Sequence, residues 1–165
     1  MLNPNYTFDN FFIDDNNCFA YKVALKVSEG RGQNYLPLCL YGESQTGKTH
    51  LLHAIGNHAL TINDSLRIVH LTTQGFIGEL INSIINNRFK LFTYRYRYID
   101  ILLLDDIHDI SGMTAMQESL YIILDTLLQS GKMIITTSNK NPIQIPHLEK
   151  RIISNLIGGV HAKTA

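Results

Sequence analysis

The stretch Gly42-Glu43-Ser44-Gln45-Thr46-Gly47-Lys48-Thr49 constrains this chain most. It fits G-x-x-x-x-G-K-[ST], a loop that must follow a strand and open a helix. Both contexts are present. Leu38-Cys39-Leu40-Tyr41 is a short apolar run suited to a buried strand, and His50-Leu51-Leu52-His53-Ala54-Ile55 continues without a helix breaker. Glycine lets the backbone turn its N–H groups inward around a polyphosphate, and the helix start adds its positive end. In that role Gly42–Thr49 form the cradle, Lys48 reaches the terminal phosphates and the Thr49 hydroxyl holds Mg²⁺.

The rest of the chain alternates in the way such a loop requires. Residues 1–17 read as an extended arm docking the rings of Tyr6, Phe8, Phe11 and Phe12, and Asp14-Asp15-Asn16-Asn17 offers caps for a helix over Phe19–Val27. After the helix His50–Leu60 comes a strand, Arg67–Leu71. A helix capped by Thr72 or Thr73 follows, with Phe76, Ile77, Leu80, Ile81, Ile84 and Ile85 at core spacing. Ile99–Leu104 is a continuous apolar run ending in Asp105-Asp106, the pattern of a central parallel strand. Thr114–Gln129 is an amphipathic helix, Lys132–Ser138 a strand, and His147–Leu156 a short helix broken by Gly158-Gly159. A fifth strand belongs in 157–165, but that stretch is short and glycine-rich, so the sheet is expected to end incomplete. The fold class is α/β: a parallel sheet with helices on both faces.

The 165-residue length suits one domain with a real core, burying roughly 70% of the unfolded surface. Lys+Arg and Asp+Glu are 14 each, which argues against strong non-specific nucleic-acid binding by the whole chain. Cys18 and Cys39 are far apart and read as packing residues in a reduced compartment. With no signal peptide before Asn3-Pro4-Asn5 and no membrane-spanning run, a soluble cytoplasmic protein is expected.

Ligands on parallel sheets bind at the carboxyl ends of strands. The loop, Asp105-Asp106 and Asn139 all fall at such ends. Neighbours on a strand point to opposite sides. Asp105 is therefore expected to anchor Mg²⁺ beside Thr49, and Asp106 to orient an attacking water. Asn139 can donate its amide N–H to the γ-phosphate or to that water. His50 and His53 lie one helical turn apart, where packing or capping is preferred to a metal pair. The run Arg88–Tyr98 interleaves basic and aromatic residues without an acid. Packing of its rings is preferred to stacking on single-stranded nucleic acid.

Gly47-Lys48-Thr49-His50-Leu51-Leu52-His53-Ala54-Ile55-Gly56-Asn57 resembles the phosphate loop and following helix of DnaA, the bacterial replication-initiator family of the AAA+ class. Leu2–Phe11 resembles the start of its ATPase domain, Asp100–Ile107 its Walker B strand and Gln117-Glu118 the helix after it. Thr137-Ser138-Asn139 falls at its sensor-1 position, where the family usually has Asp and the wider class often Asn. The resemblance covers nearly the whole chain. It implies one AAA+ nucleotide-binding domain over residues 1–165, with an arm at 1–17, a core at 37–139 and a truncated arginine-finger region at 147–165. It further implies ATP and ADP with Mg²⁺, and a role in replication initiation or its regulation.

The implied partners are full-length initiator or further copies, through AAA+ surfaces, and weakly single-stranded DNA. Sequence-specific duplex DNA and membranes are not expected. The family's ATPase domain continues into a helical lid with a sensor-2 Arg and a helix-turn-helix domain, and follows a partner-binding domain; the sequence holds none of these. Arg151 matches the first Arg of the finger region, and Asn155 stands where the finger itself is expected. Ser111–Ala115 shows none of the family's usual basic residues, whereas Ile77 matches its apolar DNA-contacting position. ATP binding is thus expected, with hydrolysis weak or absent. Two alternatives stay open: a non-hydrolysing accessory module that docks on full-length initiator, and a helicase-loader-type ATPase, against which His50–Asn57 argues.

Overall fold

The continuous apolar run before Asp105 becomes an interior strand of the sheet. In the computed structural model, which describes residues 1–164, β3 (Ile101–Asp105) is buried along its whole length. It lies in a parallel sheet ordered β2-β3-β4-β1-β5, where β1 is Leu38–Tyr41, β2 Ile68–Thr72, β4 Met133–Ser138 and β5 Val160–Lys163. Successive side chains of β3 serve opposite layers. Ile101 and Leu103 pack toward α1 (Cys18–Ser28) and α2 (Lys48–Ile62). Leu102 and Leu104 pack toward α3 (Thr73–Ile85), α4 (Phe89–Arg95), α5 (Thr114–Gln129) and α6 (Lys150–Ile157). A strand covered on both faces has no polar side to alternate with, which is why the run reads as uniformly apolar.

Leu103 is fully buried in the middle of that strand. Leu103→Ala removes its packing and leaves a cavity, so it is expected to destabilise the chain by about 2–5 kcal/mol. A drop in the urea midpoint at unchanged slope measures this.

The fifth strand corrects the expectation of an incomplete sheet. β5 pairs with β1 along its whole length, from Leu38↔Val160 to Tyr41↔Lys163. The glycines expected to break the chain admit it instead. A Cβ at Gly159 would overlap the backbone of Leu36 and Pro37, so only glycine lets β5 start beside β1. Ala165, the last residue of that expected segment, lies outside the described residues.

Three further differences have local causes. On α3 the core face holds Phe76, Ile77, Leu80 and Ser83, whereas Ile81, Ile84 and Ile85 are 41%, 51% and 73% exposed. They continue the apolar spacing on the helix but have no layer above them. α6 begins at Lys150 rather than His147, because His147 takes a left-handed conformation (φ 54°) and Gln117, buried in α5, holds the turn. Gln117 Nε2 donates to the His147 carbonyl at 2.9 Å, and its Oε1 accepts the Glu149 N–H at 2.7 Å. Asn17 precedes α1 without capping it; its side chain accepts the Asp14 N–H and donates to the Phe12 carbonyl. Thr72 caps α3 as expected, accepting the Gly75 N–H.

The arm does dock. Tyr6 stacks on His50 at 4.8 Å, Phe8 is buried, and Phe11 stacks on Tyr21 at 5.9 Å, while Phe12 stays exposed. In the basic–aromatic run Phe92 and Tyr96 are buried and Arg95 pairs with Glu79, whereas Tyr94 and Tyr98 stay exposed, so the run packs only part of its rings. No helix among the described residues is long and apolar enough to cross a membrane.

Candidate functional site

The sheet order places the ends of β1, β3 and β4 side by side, and with them the phosphate-type loop, Asp105-Asp106 and Asn139. The eight-residue loop joins β1 to α2 with Gly47 left-handed at φ 85°, a conformation that strains any side chain. A Cβ there would also sit 2.6 Å from the Phe11 ring. The N–H groups of the first turn of α2 have no intrahelical acceptors. Ser44, Gln45, Gly47, Lys48 and Thr49 line a cavity of about 420 Å³, together with Tyr6, His50, Asp106, His108 and Asn139. Gly42, Glu43 and Thr46 do not line it; they shape the loop from behind. The Gly42 N–H bonds the Ser138 carbonyl, the Glu43 carbonyl takes the Lys48 ammonium, and the Thr46 hydroxyl meets that of Thr164 at 2.7 Å.

Lys48 is only 6% exposed. Burial pulls its pKa below the usual lysine range, against the opposing pull of Asp106 and Asp105. Thr49 Oγ1 donates to Asp105 Oδ2 at 2.9 Å, which sets a hydroxyl and a carboxylate on one point. All-oxygen donors of this kind suit Mg²⁺. Asp105 is itself buried and takes a further hydrogen bond from the Thr137 hydroxyl. Thr137 Oγ1 in turn accepts the Asp106 N–H at 2.8 Å. Thr137 was not singled out in the sequence, although a threonine two residues before Asn139, on a strand next to β3, was a usable signal.

The two aspartates are separated by a turn rather than by the strand alternation expected. Asp106 is not on the strand; it turns out of it in a left-handed conformation at φ 58°. Its carboxyl lines the cavity, and burial, with Asp105 adding, raises its pKa above the usual carboxylate value. His108, also missed in the sequence, reaches the same cavity from the following turn. Its Nδ1 accepts the Asn139 N–H at 3.3 Å.

The remaining residues singled out in the sequence have other partners. His50 and His53 each use a ring nitrogen on the arm: His50 Nε2 lies 2.7 Å from the Thr7 carbonyl, and His53 Nδ1 accepts the Asn3 N–H at 3.0 Å. Arg151 is engaged by Glu118 and Glu149, with its guanidinium 4.4 Å over the Tyr121 ring. Asn155 is half-buried, and its Nδ2 has no hydrogen-bond partner among the described residues. Ile77 is 8% exposed and belongs to the core.

Residues 2–163 match the family profile of the bacterial DnaA ATPase domain. The chain belongs to that family. It is 43% identical over 161 residues to the chromosomal replication initiator protein DnaA of Thermomicrobium roseum, covering 98% of this chain and 35% of that protein. The chain thus spans about a third of the length of that curated relative. Its fold superposes on domain III of the Thermotoga maritima replication initiation protein DnaA with a TM-score of 0.94 at 36% identity, covering 99% of this chain and 68% of the other. A replication initiator DnaA bound to AMPPCP and single-stranded DNA gives a TM-score of 0.93 at 32% identity, covering 99% and 50%.

Proposed function

We propose that this DnaA-family chain binds ATP and ADP with Mg²⁺ and serves as a nucleotide switch in bacterial replication initiation or its regulation. One observation carries the reading: Lys48, Thr49, Asp106 and Asn139 line one cavity at a helix start, with the buried Asp105 bonded to Thr49 behind it. The related DnaA bound to AMPPCP supports it. Lys48 and the first-turn N–H groups of α2 would bind the phosphates. Thr49 and Asp105 would hold Mg²⁺, which when bound neutralises charge on the terminal phosphates. Asp106 would orient water, and Asn139 would donate to the γ-phosphate side. Saturable binding of a fluorescent ATP analogue, displaced by ADP, tests this; no displacement would refute it.

The regulator reading is kept for one observation. Arg151 is neutralised by two carboxylates and Asn155 carries no charge, so α6 presents no unpaired cation at the finger positions. Such a chain would act by docking on full-length initiator, or on other copies, through its AAA+ surfaces. The family match over residues 2–163 speaks against a helicase loader. A cytoplasmic setting belongs to the same proposal.

The relative bound to single-stranded DNA extends the proposal to that ligand. Zero net charge and a core-facing Ile77 make the expected binding weak and dominated by phosphate contacts. For about two such contacts, affinity for labelled oligothymidylate should fall about sevenfold between ~50 and ~200 mM salt. Fluorescence anisotropy measures it. Tight, sequence-specific duplex binding at physiological salt would contradict this picture.

A further inference from the structure

We infer that His108 is a positioning residue of the nucleotide site: it holds the backbone of Asn139 and thereby makes the site favour ATP over ADP. This rests on the nucleotide-binding reading above and deepens it.

The placement follows from the chain after β3. Asp106 turns the backbone left-handed, and the Asp109 N–H closes a short turn onto the Asp106 carbonyl at 3.0 Å. Ile107 and Ile110, both fully buried, pin that turn to the core. His108 lies between these anchors and faces the cavity, with its side chain 23% exposed. Its Nδ1 takes the Asn139 N–H at 3.3 Å and lies 4.0 Å from Asp106 Oδ1, while Nε2 lies 3.6 Å from Asp109 Oδ1. Accepting at Nδ1 requires that the neutral ring carry its proton on Nε2, the nitrogen that faces the Asp109 carboxylate.

The consequence lies across the sheet. Asn139 is the first residue beyond β4 and is exposed. Among the described residues, the bond to His108 is the hydrogen bond that ties it to the rest of the site. One ring thus spans the ends of β3 and β4 and links the turn that carries Asp106 to the amide that faces the γ-phosphate side. ADP lacks that phosphate. Loosening Asn139 should therefore weaken ATP binding and leave ADP binding nearly unchanged, whereas general damage to the fold would weaken both.

The test uses the 165-residue chain, its His108→Ala variant and its His108→Asn variant. Asparagine places an acceptor oxygen near the position of Nδ1. Each protein is loaded with a fluorescent ADP probe, which is displaced by AMPPCP or by ADP in the presence of Mg²⁺. His108→Ala should lose about tenfold in AMPPCP affinity, the scale of one hydrogen bond to a charged group, with ADP affinity unchanged. His108→Asn should keep the wild-type ratio. Equal losses for both nucleotides, no change in the ratio, or an Asn variant that behaves like Ala would overturn the inference. If wild type binds both nucleotides in a Lys48-dependent way while the ratio ignores His108, only the inference fails. If wild type binds neither, the nucleotide-binding reading fails with it.

Discussion

Lys48→Ala should cost the chain about a hundredfold or more in affinity for ATP and ADP alike. The lysine is 6% exposed, and its ammonium is held over the loop by the Glu43 carbonyl and, at 3.5 Å, by the Thr46 hydroxyl. Both partners are neutral, so a phosphate oxygen is a stronger acceptor than either. A charge-assisted hydrogen bond in a partly dry site is worth about 1.5–3 kcal/mol, and the lysine would make more than one with the terminal phosphates. Alanine also leaves the Glu43 carbonyl without its donor. Because the α2 start and the loop glycines remain, the variant should keep its far-UV circular dichroism and most of its thermal stability. Equilibrium titration with a fluorescent ATP analogue reads the effect. Equal affinity in the folded variant and wild type would move the nucleotide site off this loop.

Hydrolysis by the unmixed chain should stay well below about 1 s⁻¹, the low end of ordinary enzymes, even at saturating ATP. In related phosphoryl-transfer enzymes an arginine supplied to the γ-phosphate is worth about 10³–10⁵ in rate. In the reading proposed above, Asn155 stands at the expected finger position, where it can donate a hydrogen bond but brings no charge. Arg151, one turn earlier, is held by Glu118 and Glu149 and lies over Tyr121, so it is unsuited to stand in. Asp106→Asn should then change an already small turnover very little. Asn155→Arg, whose long side chain can carry its charge out past the buried amide site, should raise turnover in mixtures with a full-length initiator. Phosphate release, measured for the chain alone and mixed, decides between the outcomes. Turnover near ~1 s⁻¹ or above from the unmixed wild type would remove the regulator reading and favour an active ATPase.

The sequence by itself determined what depends on neighbours along the chain. The loop, its strand and its helix follow from one octapeptide and the apolar runs on either side. The α5 helix runs Thr114–Gln129, as its periodicity predicts, because its boundaries are set by local spacing. Asp105 and Asn139 sit at strand ends for the same reason. What only the tertiary structure decided involves partners distant in sequence. β5 exists because Gly159 can lie against Leu36 and Pro37, a contact that no local pattern records. Ile81, Ile84 and Ile85 keep helical spacing, but spacing tells which side of a helix is apolar, not whether a layer covers it. The site shows the same division. Thr137 joins Asp105 to Asp106 through a hydroxyl on the adjacent strand, and His108 reaches Asn139 across 31 positions of sequence. Hydrogen bonds of that span depend on strand order, which the pattern of residues along one chain leaves undetermined.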